Sequence, residues 1–242
     1  MIIVLNNKSN LLKEEFIEYY KKLVSLETFN ETVVLCPSFP HLALVTPSNI
    51  KLGAQNVSST DTGAYTGEVN ANQLKSYNVQ YTIVGHSERR INQHERAAEI
   101  SRKVKKLLSQ NITPILCIGE SLEEKNNPHV AELLLKELSE SIMDIPEPDY
   151  ERIIIAYEPI WSIGTGLIPT NQEIELRLDY IKKHFPNSKV LYGGSVGTNN
   201  IEELVKIRDL DGFLIGGISL EPDKLKTILN QIQKSSWHIR QN

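Results

Sequence analysis

VQYTIVGHSERRINQHERAAEISRKVKKLLSQNITPILCI, Val79 to Ile118, sets a helix-patterned stretch between two short apolar runs. Val79 to Val84 and Thr113 to Ile118 are rich in β-branched and aliphatic residues, as buried strands are. Between them Ala97, Ile100, Val104, Leu107 and Leu108 recur at helical spacing and fall on one face. Strands joined through a helix run parallel, because parallel pairing needs a crossover, and a parallel sheet is covered by helices on its faces. The stretch therefore reads as strand, helix, strand.

The same unit repeats outward in both directions. Further runs lie near Ile2 to Leu5, Thr32 to Leu35, Ile50 to Ala54, Ile153 to Tyr157, Val190 to Tyr192 and Gly212 to Ile215, which makes eight. Leu225, Ile228, Leu229 and Ile232 mark a second clear helical face. Thr170 followed by Glu173 reads as a capping box, and Ser219 before Pro222 suits a helix with proline in its first turn. Eight such units favour a closed α/β barrel, (β/α)8, as one domain over residues 1–242. The rival is an open doubly wound sheet, but no GxGxxG follows the first strand. A length of 242 residues fits one barrel of this kind. Only Glu123 to His129 and Ser235 to Asn242 read as loose segments.

Composition narrows the class of function. The chain is 40% hydrophobic and 23% charged, with net charge −4 from 26 basic and 30 acidic residues and no basic stripe, so nucleic acid is not an expected partner. No run of 18 apolar residues appears, and the opening MIIVLNNKSN turns polar too soon for a signal segment, so no membrane is expected and the cytoplasm is the expected compartment. Cys36 and Cys117 each end an apolar run and read as buried core thiols. The six histidines are scattered, with neither HExxH nor a Cys/His cluster, so no metal site is expected.

In a barrel the active site assembles where the strands end, so the polar residues just after each run belong together. Asn6 and Lys8 follow the first, VGHSERR (84–90) the fourth, AYEPIWSIGTG (156–166) the sixth, LYGGSVG (191–197) the seventh and DGFLIGGISL (211–220) the eighth. With AQNVSSTDTGAYTGEV (54–69), these segments resemble the signature segments of the triosephosphate isomerase family, in order and along the chain. The resemblance implies a TIM barrel, a glycolytic and gluconeogenic isomerase acting on a triose phosphate, no metal and no organic cofactor.

Read from the residues, Glu158 sits between an apolar run and Pro159, placed to take a proton from carbon beside a carbonyl. His86 precedes SERR, near a helix N-terminus that disfavours its protonation, so a neutral imidazole donating to an oxygen is expected. Side chains two apart on an extended segment share a side, which sends Asn6 and Lys8 toward the same mouth. A Schiff-base role remains the alternative for Lys8. Gly164, Ser195, Gly216 and Gly217 offer backbone N–H groups to a phosphate. The resemblance adds specific roles. Glu158 shuttles the proton, His86 is the electrophile, Lys8 stabilises charge, and 159–169 is a lid that closes over substrate, latched with help from Trp161, Glu120, Tyr192 and Ser195. Glu88 is a secondary candidate. The long Gln55 to Val69 loop, by the same resemblance, builds a homodimer, with Thr66 reaching the partner's active site.

The pattern departs in two places. NNKSN keeps the asparagine and lysine of the family's usual first-strand Asn-Trp-Lys-Met-Asn and loses its aromatic and methionine; Leu167-Ile168-Pro169 lacks the frequent lysine and carries a proline that narrows the lid's exit. Two other readings stay open from the residues alone: a barrel that binds a phosphate metabolite or a protein without turnover, and another phosphosugar enzyme such as an epimerase or an indole-forming synthase.

Overall fold

Eight parallel strands hydrogen-bond in sequence order and close on themselves, β1 pairing with both β2 and β8. They are β1 Ile2–Asn6, β2 Thr32–Cys36, β3 Lys51–Ala54, β4 Tyr81–Val84, β5 Thr113–Ile118, β6 Ile154–Tyr157, β7 Lys189–Tyr192 and β8 Gly212–Ile215. The computed structural model describes residues 1–28, 30–165 and 167–239. Every apolar run carries a strand, and the edges differ by one or two residues: β4 begins at Tyr81, and β1 and β2 each extend one residue further. Closure rules out the open sheet.

Helices α1 Lys13–Val24, α2 Ala71–Ser76, α3 Ser87–Asn92, α4 Ala97–Ser109, α5 Val130–Ser141, α6 Asn171–His184, α7 Ile201–Leu204 and α8 Pro222–Ile239 alternate with the strands. Two apolar layers result from the alternation of side chains along each strand. Inside the barrel, Val4, Val34, Ile83, Ile115, Ile154, Leu191 and Leu214 pack together with Cys36 and Cys117. Outside, Ile3, Leu5, Val84, Leu116 and Ile155 meet the helices, whose Ile100, Val104, Leu107, Leu225 and Ile228 belong to the same cluster. Both cysteines are free and buried.

The Thr170 cap forms as its sequence predicts: its hydroxyl accepts the Glu173 N–H at 3.2 Å, and the Glu173 carboxylate accepts the Thr170 N–H at 2.8 Å. Ser235 onward is not loose. Helix α8 runs to Ile239, since nothing after Pro222 breaks it. Residues 240–242 lie outside the described residues, as does Gly166 of the expected lid. Glu123 to His129 is a chain of turns, and the Gln55 to Val69 loop has no regular structure, with Asp61 to Glu68 exposed. Among the described residues no helix is long and apolar enough to cross a membrane.

Candidate active site

The alternation that fills the barrel continues one step past several strand ends. After Val4 comes Asn6, after Ala156 comes Glu158, after Leu191 comes Gly193 and after Leu214 comes Gly216, each one pleat beyond an interior residue. These four positions line one cavity of about 340 Å³, together with Lys8, His86, Gly164, Ser195 and Gly217. The cavity thus brings together Asn6, Lys8, His86, Glu158, Gly164, Ser195, Gly216 and Gly217 from five strand ends, whereas Glu88, Glu120, Trp161, Tyr192 and Thr66 do not line it.

Glu158 is 2% exposed. Its Oε1 lies 3.0 Å from His86 Nε2, and its Oε2 accepts the Ser87 N–H at 3.0 Å. Burial by itself raises a carboxyl, but His86, the Ser87 amide and Lys8 outweigh it and hold Glu158 below the ordinary carboxylate value, so the side chain is ionised. His86 caps α3, its Nδ1 accepting the Glu88 N–H at 3.2 Å. Burial opposes charge on the ring, while Glu158 and then Glu88 draw its pKa upward. The Glu88 amide aimed at Nδ1 suits the tautomer with its proton on Nε2, whereas the pull of Glu158 and Glu88 favours the imidazolium.

Lys8 has a left-handed backbone, φ 54°, which an L-residue adopts only when its surroundings enforce it. Its N–H donates to Asn6 Oδ1 at 3.0 Å, and its carbonyl accepts from Gln55 Nε2 at 2.8 Å; the same amide group bonds Cys36 O at 2.9 Å. Gln55 therefore pins Lys8 to the end of β2. The ammonium pairs with Glu88 at the cavity rim. Ser219 Oγ, which donates to Asn6 O at 3.1 Å, fixes β1 from the β8 side.

The backbone after β5 and β6 is packed as closely as glycine allows. A methyl at Gly119 would stand 1.8 Å from Glu158 O. Glu120 Oε1 accepts from Tyr157 OH at 2.8 Å and from Trp161 Nε1 at 3.2 Å, and burial raises its carboxyl. Lys125 Nζ lies 3.8 Å over the Trp161 ring and 3.5 Å from Glu173 of the α6 cap, bridging the two ends of the 159–169 segment. Ser195 is bonded to Ser162 in that segment, whereas the Tyr192 hydroxyl is buried without a hydrogen-bond partner among the described residues. Thr66 lies on the exposed tip of its loop and lines no part of this cavity; a second cavity of about 410 Å³ shares Asn6, Lys8 and His86 and opens toward Gln55, Glu88 and Arg89.

Gln55, Ser87, Gly119, Lys125 and Ser162 support the site, and none stood out in sequence as doing so. Ser87 lies inside SERR, Ser162 inside AYEPIWSIGTG and Gln55 at the start of the 55–69 loop, but membership of those segments assigned none of them a supporting contact. All five act through contacts between segments that periodicity does not relate.

Sequence comparison agrees with this architecture. The family model described as triosephosphate isomerase matches residues 1–232. Among curated relatives, the triosephosphate isomerase of Alkaliphilus oremlandii (strain OhILAs) is 37% identical over 244 residues, covering 95% of this chain and 98% of the relative. That of Hahella chejuensis (strain KCTC 2396) is 40% identical over 81% of this chain and 84% of its own length, and that of Clostridium tetani (strain Massachusetts / E88) is 38% identical over 82% and 83%. With a closed eight-stranded barrel, a match over nearly its whole length and relatives covered almost end to end, the chain belongs to the triosephosphate isomerase family, an isomerase whose substrate class is the triose phosphates.

Proposed function

We propose that this chain interconverts dihydroxyacetone phosphate and D-glyceraldehyde 3-phosphate through an enediolate, with Glu158 as base, His86 as electrophile and Lys8 as electrostatic partner. The observation that carries the reading is the meeting of Glu158, His86 and Lys8 on one cavity lined also by Gly164, Ser195, Gly216 and Gly217. Glu158 takes a proton from the carbon bearing the hydroxyl, electrons move into the carbonyl oxygen, and His86 Nε2–H donates to that oxygen. The proton then returns from Glu158 to the former carbonyl carbon, while His86 Nε2, having passed its proton to the first oxygen, takes the proton of the other hydroxyl, whose oxygen becomes the new carbonyl. Lys8 offsets the negative charge on the enediolate and phosphate. In the ligand-free geometry Nε2–H is bonded to Glu158, so substrate must part the two before either acts. Asn6 holds Lys8 in place through its backbone bond.

Closure of 159–169 excludes water and keeps the enediolate from eliminating phosphate. Two chains assemble as a homodimer by inserting the 55–69 loop, with Thr66, into the partner's second cavity, which opens beside the site. The test is a dehydrogenase-coupled assay with glyceraldehyde 3-phosphate and chelator present. Turnover is expected, falling by at least ~10² in Glu158→Ala; no turnover by wild type defeats the reading. Sedimentation of Thr66→Arg tests the assembly: a monomer of low activity is expected, and a dimer of full activity removes Thr66 from the interface.

A further inference from the structure

Ser162 knots the 159–169 segment to the loop after β7. It is wholly buried, at 0% exposure. Its hydroxyl donates to Leu167 O at 2.7 Å and accepts the Ser195 N–H at 3.2 Å, while its carbonyl accepts from Ser195 Oγ at 2.6 Å. Both donors of Ser195 are therefore spent on Ser162, although Ser195 lines the cavity opposite Gly216 and Gly217. A phosphate seated there needs the Ser195 N–H, and an amide hydrogen held by one acceptor is poorly available to another.

A second observation shows where the Ser162 oxygen can find a replacement donor. Among the described residues Tyr192 OH is buried and bonded to nothing, a costly state for a hydroxyl. It stands over Gly194 and against Pro159, since a methyl on Gly194 would lie 2.3 Å from that oxygen and 2.9 Å from Pro159 Cγ. Burial pushes the Tyr192 phenol up to about 12, and Ser162 is near enough to pull it the other way without meeting hydrogen-bond geometry.

We infer that Ser162 is a positioning residue that plugs the phosphate site, its hydroxyl oxygen exchanging the Ser195 N–H for the Tyr192 O–H when substrate phosphate arrives. The exchange keeps every group satisfied: phosphate gains the Ser195 amide, Ser162 Oγ gains the phenol, and Tyr192 acquires the partner it lacks. It also disturbs the Ser162 contact to Leu167, so occupancy of the phosphate site is transmitted to the exit of the segment. Ser162 touches no reacting atom and acts through Ser195. The inference rests on the isomerase reading for the presence of phosphate at Ser195.

The test is a double-mutant cycle read by binding of inorganic phosphate and by the split between KM and kcat. Tyr192→Phe leaves the eviction of Ser162 uncompensated, so phosphate affinity should fall by about three- to tenfold, the range of one neutral hydrogen bond. In a Ser162→Ala background the same substitution should change affinity by less than about twofold, because no plug remains to be compensated. KM should follow phosphate affinity, with kcat changing less. An equal Tyr192→Phe penalty in both backgrounds overturns the inference. Should the double variant not fold, amide exchange decides. The Ser195 N–H of the ligand-free protein should exchange faster in Ser162→Ala than in wild type, and equal rates overturn the plug. Wild type is assayed alongside: absence of both turnover and phosphate binding defeats the isomerase reading and the inference together, whereas turnover with an uncoupled cycle defeats the inference alone.

Discussion

Gly119→Ala should cripple the reaction although the added methyl touches no substrate. The new carbon would stand 1.8 Å from the carbonyl oxygen of Glu158 and 2.8 Å from its carbonyl carbon, where contacts under 3.0 Å are essentially never found. Relief therefore requires a movement of at least about 1.2 Å, the difference between 3.0 and 1.8. Both obstructing atoms are backbone, so no rotamer change absorbs it. The two segments are also tied, Glu158 N–H to Ile118 O at 2.8 Å and Gly119 N–H to Glu137 Oε2 at 3.0 Å, so the displacement falls on the base itself. A misplacement of about 1 Å is worth roughly 10²-fold in rate. Initial rates in the coupled assay, taken well below the melting temperature, should show kcat lowered by about 10², with KM altered less because three of the proposed phosphate donors, Ser195, Gly216 and Gly217, sit on other strand ends. Gly193→Ala is the internal comparison. Its methyl would meet Glu158 Cγ at 3.0 Å, a side-chain atom able to give way, so its loss should be smaller. A kcat for Gly119→Ala within threefold of wild type would refute the claim that this close approach sets the position of the base.

Lys125→Met removes the ammonium that bridges Trp161 and Glu173; the contacts are partly exposed and worth about 0.5–1 kcal/mol, so KM should rise a few-fold while Lys125→Arg stays near wild type, and equal kinetics for all three proteins would dismiss the bridge. Arg90 donates to Gly85 O at 2.7 Å and Cys117 O at 2.9 Å and faces the partly exposed Glu137 at 3.2 Å, so Arg90→Gln should cost about 1–3 kcal/mol in urea unfolding by leaving the two carbonyls without their donor; a loss below about 0.5 kcal/mol contradicts this. The folded pKa of Glu158 lies below its unfolded value of about 4.3, so its contribution to stability is complete above that value and disappears as pH falls through the lowered one. Thermal melts of wild type and Glu158→Gln should therefore shift against wild type as acid is added below about pH 4.3, and a gap that stays constant with pH would count against the lowered pKa.

The barrel was legible because each strand of a parallel sheet is apolar on both faces, a property of single short segments such as Ile153 to Tyr157 that requires no knowledge of neighbours. The candidate site was legible one step further. Once strand ends are known to converge, Asn6, Glu158 and Gly216 have nowhere else to point. The supporting contacts were hidden for a physical reason. Gln55 grips Lys8 across 47 residues, and Lys8 pairs with Glu88 across 80, and neither separation leaves a periodic trace. Ser162 looked like one more small residue in a loop, because a serine that stitches three segments has the same local signature as one that faces water. The error at Ser235 arose from the opposite bias: polar residues near a terminus suggest fraying, yet Ser235 to Ile239 holds neither proline nor glycine to stop the helix begun at Pro222.

The cavity combines two kinds of attachment, and the difference bears on how the reaction is controlled. Glu158 and His86 sit directly on the strand ladder, Glu158 through the bond to Ile118 O and His86 through Gly85, whose carbonyl is held by Arg90. Their backbones are therefore fixed to the barrel, and it is their side chains that part when substrate enters. Lys8 and Ser195 are instead held by residues of longer loops: Gln55, the first residue of the exposed loop at 55–69, and Ser162 in the segment at 159–169. Anything that reorganises either loop acts on the cation or on the phosphate donor without moving base or electrophile. Assembly through the 55–69 loop would then reach the chemistry by way of Gln55 and the strained backbone of Lys8, in addition to any contact made by Thr66. On the proposed reading, proton transfer is assigned to residues whose backbone is fixed to the barrel, and charge stabilisation and substrate capture to residues held by its loops.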